Sequence, residues 1–120
     1  MLEHELITDK GVLIVRPKGP LSAKDFAALT VDADSYIEDH GALKGLMICA
    51  AKFPGWENLE GVVSHFKFVR EHHRKISKVA FVSDSDFLAV LPKLASHFIS
   101  AEVKHYGADE EAEALSWITG

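Results

Sequence analysis

Apolar residues recur along this chain in two rhythms. Short apolar or alternating runs mark strands, and apolar positions three and four apart mark helices. The runs at Leu2–Thr8 and Val12–Pro17 flank Asp9-Lys10-Gly11, a turn signal, and so predict an antiparallel hairpin. Pro17 lacks an N–H and marks the strand's end. Ser22 is a predicted N-cap, with Asp25 in the first turn. Phe26, Leu29, Thr30, Ala33, Tyr36 and Ile37 follow at helical spacing, Val31 falls off that face, and Gly41 ends the helix.

The stretch Leu46–Arg70 organises the rest. Leu46-Met47-Ile48-Cys49-Ala50 reads as a strand buried on both faces. The turn Phe53-Pro54-Gly55-Trp56 follows, and a helix starts at Asn58. Leu59, Val62, Val63, Phe66 and Val69 predict its inward stripe, which leaves Phe68 facing water. A basic stretch then leads to the strand Val79–Ser83. Asp84-Ser85-Asp86 caps a helix carrying Phe87, Leu88, Leu91, Leu94, Ala95 and Phe98, kinked or divided at Pro92. Ala101–Tyr106 alternates as a last strand. The acidic run Asp109–Glu113 suits the start of a final helix, with Leu115, Trp117 and Ile118 inward. The expected order is ββαβαβαβα: one α/β domain over residues 1–120, with a mainly parallel five-stranded sheet and four helices.

Composition narrows the function. The formal charge of −5 disfavours nonspecific nucleic-acid binding. Cys49 is the single cysteine, so no intrachain disulfide forms. The first residues lack the basic and apolar regions of a signal peptide, and no run is long enough for an integral membrane segment. A cytoplasmic protein is the expectation.

Candidate chemistry centres on loops after strands. Ligands of open α/β sheets sit beyond the carboxyl ends of parallel strands. Phe53, Pro54, Gly55 and Trp56 can line an apolar pocket there, or Trp56 can simply cap the core. The helix starts near Ser22, Asn58 and Ser85 offer N–H groups to an anion, or are closed by their own caps; those near Asn58 and Ser85 follow strands, and Ser83 and Asp84 stand beside the latter. A small anionic or amphipathic ligand suits this arrangement. Phe68, with His65 and His72 on the same helix, marks a candidate homodimer interface.

No cofactor or catalytic residue is expected. His65, His72 and His73 lack a His-Glu-x-x-His pattern, and a solvated basic helix end accounts for them without a metal. Ser85, His97 and Asp86 lack a nucleophile elbow, and no Walker or dinucleotide glycine pattern is present.

The chain resembles the SpoIIAA-like proteins, relatives of the STAS domain. The likeness rests on the opening hairpin, Phe53-Pro54-Gly55-Trp56 after the central strand, Val79-Ala80-Phe81-Val82 before a polar turn, and Ala101–Tyr106 followed by Ala114 and Trp117. It implies a small four-helix α/β domain with a noncatalytic role in binding or regulation. Related lipid-carrying domains of the CRAL-TRIO type imply an apolar ligand. Regulatory STAS proteins carry a phosphorylatable Ser at the start of the helix after the central strand. Residues 52–63 here contain no Ser or Thr, so that switch is ruled out at this position.

Overall fold

The structure, a computed structural model, describes residues 1–50, 58–72, 75–83 and 101–120; the side chains at 59, 62 and 66 lie outside that description. The helix expected over 85–98 also falls outside it.

β1 (Leu2–Ile7) and β2 (Val12–Pro17) form the expected antiparallel hairpin, with Leu2 opposite Pro17 and Ile7 opposite Val12. Gly11 closes the turn at φ +68°, and its N–H donates to the Ile7 carbonyl at 2.9 Å. α1 (Ala23–His40) opens on a capping box: Ser22 Oγ accepts from the Asp25 N–H, and the Asp25 carboxylate accepts from the Ser22 N–H at 2.9 Å. It ends at Gly41, φ +89°.

β3 (Leu43–Cys49), α2 (Leu59–His72), β4 (Ile76–Val82), β5 (Glu102–Tyr106) and α3 (Glu111–Thr119) follow. The sheet order is β1-β2-β3-β4-β5, parallel from β2 onward. β4 starts three residues before the expected Val79. Its Lys78 is tolerated because Nζ donates to the Trp117 carbonyl at 2.9 Å and lies over the Trp117 ring.

Alternation along the parallel strands builds two cores. Leu13, Val15, Leu46, Val79 and Phe81 face Phe26, Leu29, Ala33, Ile37 and Phe68 of α1 and α2. Val12, Ile14, Met47, Ala80 and Val82 face Ala114 and Ile118 of α3. This two-sided burial explains the continuous apolar runs of β2, β3 and β4.

The expected face of α2 is corrected. Phe68 is buried, and Val63 is 59% exposed. Among the described side chains of α2, the buried or half-buried positions are Gly61, Ser64, His65, Phe68, Val69 and His72, spaced by three, one, three, one and three. The helix packs on α1 as well as the sheet, so its buried arc takes in small and polar residues. A Cβ on Gly61 would lie 2.5 Å from the Leu21 carbonyl oxygen, so a hydrogen there permits the close approach before α1. Among the described residues, no helix is long and apolar enough to cross a membrane.

Candidate functional site

The parallel register fixes where the loops emerge. Cys49 pairs with Val82 at the carboxyl ends of β3 and β4, and the Ala50 N–H extends the ladder to the Val82 carbonyl at 3.0 Å. The segments leaving these strands therefore start side by side. Phe53, Pro54, Gly55, Trp56, Asp84 and Ser85 lie on those segments and outside the described residues, as do His97 and Asp86.

Asn58 and Ser83 are described. Asn58 opens α2, and its Oδ1 accepts from the Gly61 N–H at 3.0 Å. One orphan donor of that helix end is thus satisfied by its own cap. Ser83 directly follows β4 and is buried. Its N–H donates to the Tyr106 carbonyl at 3.0 Å, and its Oγ lies 2.9 Å from His105 Nε2. The Ser83–His105 pair thus holds a hydroxyl and an imidazole at the carboxyl ends of β4 and β5.

Sequence reasoning did not single out His105. The signal was present in the alternation of β5. Val103 and His105 share the face of Val79, Phe81 and Ser83, given Val79 opposite Val103 and Phe81 opposite His105.

The opposite face carries a second polar group at the same end of the sheet. Arg16 of β2 donates through Nη2 to Glu111 Oε1 at the start of α3, an ion pair with both side chains partly exposed. That hydrogen bond holds the Glu111 carboxyl below its ordinary range and raises the guanidinium above its own. Half-buried Cys49 lies beside them. Desolvation, reinforced by the Glu111 charge, pushes its thiol up to about 11. Cys49 is therefore a thiol at neutral pH, without the thiolate character of a nucleophile.

The residues expected at an interface turn inward. Phe68 is buried against α1, which removes the exposed aromatic on which that expectation stood. His65 stacks on Phe26 with ring centroids 5.1 Å apart. His72 is buried and bonds Asp34 of α1. Two cavities of about 320 and 420 Å³ run along the α1–α2 groove, and both reach Glu71. Among the described residues, no three His, Cys, Asp or Glu side chains are grouped to hold a metal ion.

Comparison with known proteins agrees with this architecture. A family model described as SpoIIAA-like matches residues 12–119. A solved structure of an uncharacterized protein from the DUF3478 family of Shewanella loihica PV-4, described as having a SpoIIAA-like fold, superposes with a TM-score of 0.72. It is 19% identical, and the alignment covers 98% of this chain and 92% of that one. No curated protein sequence matches this chain.

Proposed function

The chain belongs to the SpoIIAA-like family, and from that premise we propose that it is a nonenzymatic regulatory domain that binds a small anionic or amphipathic molecule. The site is the crevice at the carboxyl ends of β3 and β4. The observation that carries this reading is the register of Cys49 against Val82, which starts the two loops side by side. In this reading the lining comes from the two segments that follow those strands: Phe53, Pro54, Gly55, Trp56 and Asn58 on one, Ser83, Asp84 and Ser85 on the other. Ligands of open parallel sheets occupy this position.

Each group has a role in that reading. Trp56 and Phe53 supply apolar surface for a tail. The helix starts near Asn58 and Ser85 supply N–H groups to an anionic head. Ser83 and His105 form the polar floor beside them. The family is generally nonenzymatic. The raised thiol of Cys49 and the burial of Ser83 fit a site that binds without reacting.

Mass spectrometry of the purified protein under native and denaturing conditions tests this reading, with the Trp56→Ala variant alongside. A small-molecule increment present only in the native wild-type spectrum, and diminished in the variant, supports it. An increment equally retained by a folded Trp56→Ala protein counts against Trp56 as part of the site.

A further inference from the structure

We propose that a second copy of this chain docks on the outer edge of β5 and continues the sheet across a two-fold axis at Val103. The sheet order ends at β5, and among the described residues nothing pairs with its outer edge. The ladder fixes which backbone groups face out. The Ser83 N–H donates to the Tyr106 carbonyl, so Tyr106 aims its peptide groups at β4. Those groups alternate sides along a strand. Glu102 and Lys104 therefore also bond β4, while Val103 and His105 turn N–H and C=O outward. Unpaired edge groups of this kind are a template for another strand.

The side chains select the register. Glu102 and Lys104 are both exposed, and being two apart they share one face of β5. Antiparallel pairing of two β5 strands about Val103 sets Glu102 of each copy opposite Lys104 of the other. Both contacts join opposite charges, at positions where facing side chains stand closest. In the same register the two Val103 residues face each other and exchange N–H···O bonds at the axis, with His105 opposite Ala101. The outward peptide groups and the charges thus ask for one arrangement. Pairing about Glu102 or Lys104 would oppose like charges and bring inward-turned peptide groups to the axis.

The neighbouring groups leave this edge ready. Among the described residues, Glu102 has no ion-pair partner. Lys104 Nζ lies 5.2 Å from the Tyr106 ring centroid and 5.8 Å from that of Trp117, which keeps its ammonium on the shared face. The other end of the sheet is guarded. β1 exposes Glu3 and Glu5 on one face, and a two-fold pairing of β1 about His4 would set Glu3 of one copy against Glu5 of the other. β5 has only five residues, so the contact is small and belongs to the transient class. This dimer does not depend on the ligand crevice.

Sedimentation velocity of the full chain at concentrations up to about 1 mM tests the proposal. The wild-type mass is expected to rise from one chain toward two. Glu102→Lys and Lys104→Glu each turn both charge contacts repulsive, and each alone should weaken association by about tenfold or more. An equimolar mixture of the two variants should dimerise again, because every contact then sets a lysine against a glutamate. A wild-type protein that stays at one chain mass throughout overturns the proposal. So do variants that associate as the wild type does, or a mixture no better than either variant alone. Amide NMR on dilution of the wild-type protein needs no variant. Concentration-dependent shifts are expected at Val103 and His105 with Glu3 and Glu5 unmoved, and shifts confined to β1 or α2 overturn the proposal.

Discussion

Gly45 of β3 and Ile118 of α3 fit together with room for a hydrogen and nothing more. A Cβ on Gly45 would collide with Cγ2 of Ile118 and would lie 3.2 Å from the Lys78 carbonyl oxygen. α3 rests on the sheet at this point, over Met47 and Ala80. Gly45→Ala is therefore expected to destabilise the fold by about 1–3 kcal/mol, the usual cost of overpacking. Urea unfolding measures it, and an unchanged midpoint would show that α3 shifts freely.

Gly61 sets two effects against each other. Alanine is the better helix former by up to about 1 kcal/mol. Its Cβ, however, would meet the Leu21 carbonyl oxygen, a backbone atom that cannot rotate away. Gly61→Ala should lower stability despite the propensity gain. A stabilised variant would mean that the Leu21–Ser22 segment yields.

The first strands, α1 and the parallel order were legible because their physics is local. β-branched runs, a capping serine and a terminal glycine each point to one structure. The face of α2 was not legible from apolar spacing alone. Gly61 is buried through close backbone approach, and His72 through a pair of hydrogen bonds. A count of apolar residues sees neither. Phe68 falls on the unexpected side because its inward neighbours among the described side chains include a glycine, a serine and two histidines. Ser83 is legible as the last residue of an expected strand, whereas its partner His105 comes from the far end of the chain, through a strand pairing that no local pattern contains.

The Arg16–Glu111 ion pair makes a stability contribution with a defined pH window. The Glu111 carboxyl is lowered by the Arg16 hydrogen bond from an ordinary value of 4.5. Its contribution is present above that value and is lost as pH falls through the lowered one. Both side chains are partly exposed, so Glu111→Gln should cost no more than about 1 kcal/mol at neutral pH. Chemical denaturation of both proteins at neutral and strongly acidic pH checks this, and the difference should vanish in acid.

Cys49 should be slow to alkylate. Desolvation raises its thiol from 9.0 to about 11, so little thiolate exists near neutrality. Iodoacetamide should label the folded protein far more slowly than the unfolded chain at mildly alkaline pH, followed by mass spectrometry. The thiol form's stabilising contribution is complete below 9.0 and is lost as pH rises through about 11. Equal labelling rates would show that the thiol is not desolvated.

The site itself is tested most directly by a backbone amide NMR titration with dodecyl phosphate, kept below its micelle-forming concentration. This probe joins an anionic head to an apolar tail. The proposed function predicts saturable shifts at Asn58, Gly61, Ser83 and His105, with Thr30 and Glu71 in the α1–α2 groove unmoved. Saturable shifts confined to that groove, or none at Asn58 and Ser83, would contradict a binding crevice at the carboxyl ends of β3 and β4.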